Sequence, residues 1–415
     1  MAFQGIAADV NDEGKPDLNM IRAILFQFVA TSLLILALSA TGRAQSLLSG
    51  AWTVTSPEPS GDIPVGTLSL RLVDAARTDP YRLNSGKREL VVRFWYPAAY
   101  GQPCRTAEYA SPKVWTYFSQ ISGFPLPAVR SHSCLGVAAA AGARPVILFS
   151  HGYTATLTDA TFIFEDLASR GFVVASIAHT YETTAVEFPD ARLITSLFGS
   201  YLSEGSLRMD YGTLHRVRSV RLADLSFVLN ELQRVNANDR VLAGRLDLSR
   251  IGVMGHSLGG EIALAGLEHD ARIGAAVSLD GAVSAEVTAG TSKPVLLLAA
   301  GRERWSPEEC HLWTALRGAR LAINLQGADH FTPTDAIWLF QSVPGMSASV
   351  GGMGRQRTIT ALRNYIAAFF DTNLRGRPPN ALLSAPSAKY PDAIVSNQTL
   401  APCRQNASAA KGGLQ

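Results

Sequence analysis

Between about Gly66 and Leu374 the chain alternates short, β-branched apolar runs with longer stretches of helical spacing, and this rhythm restricts its folding options more than any other feature. A strand buried on both faces reads as a continuous apolar run, and consecutive parallel strands need a helical crossover between them. The pattern therefore predicts an α/β architecture with a mostly parallel sheet flanked by helices. Strands are expected at Gly66–Val73, Glu89–Tyr96, Pro145–Ser150, Phe172–Ala178, Ile251–Gly255, Ala275–Leu279, Val295–Ala300 and Ala319–Leu325. The first two have little helical material between them and should pair as an antiparallel start. Helices are expected at Asp159–Arg170, stopped by Gly171, at Val217–Val235, at Gly260–Leu267 and at Thr358–Leu374.

With 415 residues, 47% of them hydrophobic and 17% charged, the chain has ample material for a large core. A formal charge of +3 without a basic run excludes an electrostatic footprint for nucleic acid. Four spans divide the sequence: an N-terminal extension and leader over 1–44, a linker over 45–65, a catalytic domain over 66–375, and a Pro-, Ala- and Ser-rich tail over 376–415, expected to be poorly ordered except near Cys403. Within the first span, Arg22 precedes the apolar run Ala23–Ala40, which ends in small residues around Ala40, Gly42 and Ala44. That order is a secretory signal peptide's, and the acidic stretch before it points to Met20 as the true start. The alternative is a membrane anchor through residues 23–40, which Gln27, Thr31, Ser32 and Ser39 weaken. A secreted or periplasmic chain folds under oxidising conditions, where its four cysteines can pair in three ways. Neighbourhood in sequence favours Cys104 with Cys134 and Cys310 with Cys403; no cysteines are spaced like zinc ligands.

Gly255-His256-Ser257-Leu258-Gly259 is the one G-x-S-x-G in the chain. It lies between a predicted strand and a predicted helix, the setting in which such a serine is held on a sharp turn at the sheet's C-terminal edge. Ser257 is the candidate nucleophile. A serine hydroxyl needs a base, and the base an orienting acceptor. Of the eight histidines, His330 follows the last apolar strand and comes after the serine and the acid candidates, the chain order expected for such a fold. His256 is too close along the chain to face Ser257 and is read as supporting; His151 and His179, which also end strands, are alternatives lining the pocket. For the acid, Asp280 and Glu303 each follow a strand ending at the same edge. Asp280 is favoured, because Glu303 sits between Arg302 and Arg304 as a solvated ion-pair residue would. Oxyanion donors are expected from the backbone N–H groups of Leu258 and Tyr153, the latter in the loop Ser150-His151-Gly152-Tyr153. Two segments, Phe188–Leu214 and the Gly- and Met-rich Ser342–Arg357, are placed to border a pocket.

These motifs, in this order, resemble the α/β-hydrolase superfamily from about Arg88 to Leu374. Within it the chain is most similar to the platelet-activating factor acetylhydrolase family of the lipoprotein-associated phospholipase type. Val92-Arg93-Phe94-Trp95-Tyr96-Pro97, Phe149-Ser150-His151-Gly152-Tyr153, the stretch from Asp166 to Ala175, Gly255-His256-Ser257-Leu258-Gly259-Gly260 and Leu279-Asp280-Gly281 carry the likeness. The resemblance implies calcium-independent hydrolysis of short or oxidised acyl esters by Ser257, Asp280 and His330, and it supports Asp280 over Glu303. Cys104–Cys134, the insert before Leu214, the loop around Met346–Met353 and the tail have no match in it. Cutinase-like polyester hydrolases and dienelactone hydrolases share the scaffold and are alternative readings. A binding protein without catalysis on the same fold is a third. A small-molecule or lipid ester substrate, transient contact with a lipid interface and no metal or organic cofactor complete the expectations.

Overall fold

The computed structural model describes residues 52–82, 86–123, 125–200, 211–284, 287, 290–341, 348–397 and 403. The leader and the Met20 start lie outside them. In chain order the elements are β1 (Thr53–Thr55), β2 (Val65–Thr78), β3 (Lys87–Pro97), β4 (Thr106–Glu108), α1 (Pro112–Ser122), β5 (Ala128–Leu135), β6 (Arg144–Ser150), α2 (Thr161–Ser169), β7 (Val173–Ala178), β8 (Ala185–Glu187) and β9 (Leu193–Thr195). Then follow α3 (Tyr211–Asn238), β10 (Leu246–His256), α4 (Leu258–His269), β11 (Ile273–Leu279), β12 (Val295–Ala300), α5 (Pro307–Ala315), β13 (Arg320–Leu325), α6 (Ala336–Leu339), α7 (Arg355–Arg375) and β14 (Ala393–Ser396).

One large sheet runs β1-β5-β2-β3-β7-β6-β10-β11-β12-β13-β14, with β4 added on β5. Its centre, from β7 to β13, is wholly parallel. The β2–β3 pair is antiparallel, as its short connection dictates. Side chains alternate across the parallel strands and so feed two cores. Ile147, Phe149, Val174, Met254 and Val277 pack with Phe162 and Phe164 of α2 and Leu362, Ile366 and Phe370 of α7. On the opposite face Val146, Leu148, Val253 and Ala276 pack with Leu225, Val228 and Leu232 of α3 and Ile262 and Leu267 of α4. The α/β-hydrolase architecture is thus a sheet sandwiched between helices, with loops at the C-terminal strand ends free to carry chemistry.

Two features depart from the sequence reading. The tail, expected to be loose except near Cys403, supplies β14, which pairs antiparallel with β13 through Ala322–Leu325 and so covers that edge of the sheet. The segment from Cys104 to Cys134, where no element was expected, contributes β4, α1 and β5, and its strands extend the opposite edge. Disulfides join Cys104 to Cys134 and Cys310 to Cys403. The first closes a sequence separation of 30 residues, and restricting that loop in the unfolded chain stabilises the fold by about 3.6 kcal/mol. Replacing Cys104 and Cys134 together by Ser should therefore lower the urea midpoint by an amount corresponding to about 2–4 kcal/mol, with turnover of the folded fraction retained. An unchanged midpoint would show that this edge needs no covalent tie.

Candidate active site

β10 runs straight into α4 through Ser257, and the geometry at that junction leaves room for nothing larger than glycine on either side. A methyl group on Gly255 would overlap the Gly259 carbonyl, and one on Gly259 would overlap the carbonyl of Ser150 at the end of β6. Ser257 itself sits at φ 54° and ψ −123°, a region costly for a residue with a side chain, by about 1–3 kcal/mol. Its N–H donates to the Leu279 carbonyl at 3.0 Å, tying the turn to the end of β11. The strain is thus held by neighbours on both sides, and it lifts the hydroxyl above the sheet edge.

His330 Nε2 lies 2.9 Å from Ser257 Oγ, and His330 Nδ1 lies 2.6 Å from Asp280 Oδ2. Asp280, also at positive φ (45°), follows β11, and its Oδ1 accepts from the Ala300 N–H at 3.0 Å and Arg302 Nε at 3.1 Å. Burial works to raise this carboxyl, but the His330 hydrogen bond and the Arg302 charge outweigh it and bring it down to about 2. It therefore stays ionised wherever a neutral imidazole can serve as base. With Nδ1–H donated to that carboxylate, the Nε2 lone pair faces the serine hydroxyl. Glu303, the other candidate acid, is solvent-exposed.

His256 performs the supporting task expected of it. Its Nε2–H donates to the backbone carbonyl of His330 at 2.8 Å, and its Nδ1 meets Asp159 Oδ2 at 3.2 Å. Burial disfavours charge on His256, yet Asp159 and that carbonyl hold it above the ordinary histidine value. The stretch 348–353 of the Gly- and Met-rich segment braces the same turn: Asp329 Oδ2 accepts from the Ser349 N–H at 2.6 Å, and Ala328 bridges to Val350. Residues 342–347, like residues 201–210 of the other proposed pocket border, lie outside the described residues.

Tyr153 stands in the turn after β6, its ring 6.0 Å from that of Phe198. Leu258 opens α4, so its N–H has no acceptor within the helix. The loop bearing Tyr153 is gripped from below by Arg221 of α3, whose guanidinium donates to the carbonyls of His151 and, at 3.1 Å, Gly152. Glu182 accepts from Arg221 Nε at 2.6 Å, both side chains fully buried. His151 and His179 belong to this scaffold. His179 bonds Asp224 at 3.0 Å and Ser150 Oγ at 3.0 Å, while His151, pushed well below its usual value by burial and by Arg221, bonds the Gly152 carbonyl at 2.7 Å. Arg88 grips Asp224 with two N–H groups at 3.1 and 2.7 Å. Sequence reasoning missed this network. Its signal was Arg221 and Asp224 on the same helical stripe as Leu225 and Val228, where charges survive only when paired. Among the described residues no group of three or more His, Cys, Asp or Glu side chains could hold a metal ion, and no helix is long and apolar enough to cross a membrane.

A solved structure, the ferulic acid esterase from Streptomyces cinnamoneus, superposes with a TM-score of 0.68 at 34% identity, covering 84% of this chain and all of that one. A probable 1-alkyl-2-acetylglycerophosphocholine esterase of Arthroderma benhamiae is 25% identical over 403 residues, 87% of this chain and 98% of that protein. The platelet-activating factor acetylhydrolase of Cavia porcellus is 32% identical over 154 residues, about a third of each chain. Fold and relatives together define a carboxylic ester hydrolase of the α/β-hydrolase class. More narrowly, residues 55–189 and 221–370 match the model of platelet-activating factor acetylhydrolase, isoform II, and the chain belongs to that family.

Two outcomes test the geometry. Gly259→Ala should cost about 3 kcal/mol, because the backbone of β6 must move, and a melting temperature within a degree of the parent would contradict that packing. In acid, a carboxyl lowered to about 2 in the folded state, against about 3.9 unfolded, stabilises the fold fully above pH 5 and loses that contribution as pH falls toward 2. Asp280→Asn should accordingly narrow the gap between urea midpoints measured at pH 5 and pH 3.

Proposed function

We propose that the protein is an exported serine esterase in which Ser257 is the nucleophile, His330 the general base and acid, and Asp280 the orienting acid. What carries the reading is the continuous hydrogen-bond chain from Ser257 Oγ through the His330 ring to Asp280, mounted on a turn whose nucleophile residue has positive φ. His330 Nε2 takes the hydroxyl proton as Ser257 Oγ attacks the ester carbonyl carbon. The N–H groups of Leu258 and Tyr153 receive the oxyanion, an interaction worth about 3–4 kcal/mol per donor in comparable sites. His330 then passes its proton to the leaving alcohol, leaving an acyl-Ser257 ester. Water, deprotonated by the same imidazole, attacks that ester, and the carboxylic acid departs with the serine restored.

The substrates proposed are esters of short or oxidised acyl groups, acetylated phospholipids among them, by likeness to the family and to the fungal relative. A second reading is supported by the solved relative and by the Tyr153–Phe198 ring pair beside the loop: an aryl-acid ester of the ferulate kind. Two disulfides support export, and with it a leader over residues 1–44.

Ser257→Ala should fold as the parent does, lose labelling by a fluorophosphonate probe and lose about four to six orders of magnitude in turnover of p-nitrophenyl acetate. Retained activity would remove Ser257 from the mechanism. Comparison of p-nitrophenyl esters of increasing chain length, an acetylated phospholipid, methyl ferulate and a polyester film then decides the acyl class. Highest kcat/KM on the acetyl compounds is expected, and a maximum on ferulate would replace it with the aryl reading.

A further inference from the structure

The acid of the proposed site is itself held by a cation. Arg302, two residues beyond the end of β12, points Nε at Asp280 Oδ1 (3.1 Å) and Nη2 at the Gly281 carbonyl (3.1 Å), so one guanidinium fixes both the carboxylate and the backbone that bears it. Its Nη1 faces the Glu309 carboxylate. Asn324 of β13 secures the Arg302 main chain from both sides, accepting from its N–H at 3.0 Å and donating to its carbonyl at 2.6 Å. Glu309 is 3% exposed and has a second duty: its other oxygen accepts from the Ser306 N–H at 2.7 Å, while Ser306 Oγ accepts from the Glu309 N–H, a capping box that opens α5. Arg302 therefore does not serve the exposed Glu303 beside it but an acidic partner on the next helix.

We propose that Arg302 and Glu309 extend the Ser257–His330–Asp280 chain as positioning residues, Arg302 fixing the acid and Glu309 balancing the charge of Arg302 so that the imidazole still faces a net negative partner. The inference rests on the catalytic reading given above. A bare guanidinium against Asp280 would offset much of the negative charge that favours the imidazolium formed during catalysis. With Glu309 in place the trio Asp280, Arg302 and Glu309 carries the charge of a single carboxylate, yet its geometry is set by a rigid, planar fork.

Among the described residues the other groups around His330 are few. The His256 ring lies 4.8 Å away with Asp159 behind it, Phe331 packs at 5.6 Å, and the Asp329 carboxylate is engaged by backbone N–H groups of Phe331 and Ser349. None of these touches Arg302 or Glu309, so changes at those two positions can be read separately.

Opposite signs make the test. The acid limb of kcat/KM marks where the free enzyme's base becomes protonated. A cation left without its partner opposes that protonation, so Glu309→Gln, which keeps the cap acceptor, should move the acid limb to lower pH by about half a unit. Arg302→Met should move it upward by about half to one unit, and the double variant should fall back toward the parent. Arg302→Lys should keep the parent's limb but lower kcat, since charge remains and the fork is lost. Full-length protein and p-nitrophenyl acetate suffice, with fluorophosphonate labelling of Ser257 confirming an intact nucleophile in each variant. Shifts of the same sign, or no shift in Glu309→Gln with labelling intact, would overturn the proposal while leaving the catalytic reading standing. Should Arg302→Met fail to fold, Glu309→Gln and the double variant decide alone. If Ser257→Ala retains turnover, the catalytic reading itself has failed.

Discussion

Everything at the sheet edge depends on one steric constraint, the absence of side chains at Gly255 and Gly259. With both positions bare, the first turn of α4 presses against the end of β10 and the carbonyl of Ser150 on β6. The approach forces Ser257 into positive φ, and it sets α4's free N–H groups beside the loop that leaves β6. A methyl group at Gly255 would push α4 off the end of β10, and one at Gly259 would push it off the end of β6. In the second case Ser257 and the loop bearing Tyr153 would draw apart, since both hang on the contact between Gly259 and Ser150.

Below that contact lies a layer of buried charge. Arg221 with Glu182, and Arg88 with Asp224 and Asp79, are removed from water and held by two or more hydrogen bonds each. Pairs of this kind add little net stability, but removing one partner strands the other, typically at about 3–5 kcal/mol. Their value here is geometric. The carbonyls of His151 and Gly152 cannot rotate without breaking the Arg221 fork, so the N–H that follows them in the chain keeps its direction. Apolar packing could have filled the same volume, though without fixing the orientation of those carbonyls.

How much of this was written in the sequence differs by element. Strands β6, β7 and β10 to β13 were legible because doubly buried parallel strands carry their own apolar signal, β2 and β3 because two apolar, β-branched runs stand close together without helical spacing between them, and α2, α3, α4 and α7 because their apolar residues recur at helical spacing. The three-residue strands β1, β4, β8 and β9, and the edge strand β14, were not, since they exist through their partners rather than their own pattern. α5 was missed despite Ser306-Pro307-Glu308-Glu309, a capping-box signature with proline in the first turn, because its apolar stripe is too weak to draw attention. At the site, chain order and strand ends were enough to nominate Ser257, His330 and Asp280. The buried arginines were passed over, because a charge is read as solvated until its partner is seen, even where, as with Arg221 and Asp224, it shares an apolar stripe. Arg302, assigned from sequence to Glu303, shows how adjacency misleads where a loop turns one side chain inward and its neighbour out.

In the proposed mechanism the imidazole of His330 must satisfy two opposed demands. It has to stand open to an incoming ester and later to water, and the His330 side chain is 45% exposed. Its ring must also keep its position relative to two oxygens to about half an ångström. Packing alone cannot supply that rigidity to an exposed ring. The structure resolves the conflict by anchoring what is not exposed: the His330 carbonyl by His256, the neighbouring Asp329 by the backbone of Ser349, and the far face of Asp280 by Arg302 and the Ala300 N–H. Exposure is confined to the ring itself, while the backbone that carries it and the acid that orients it are built into the sheet edge.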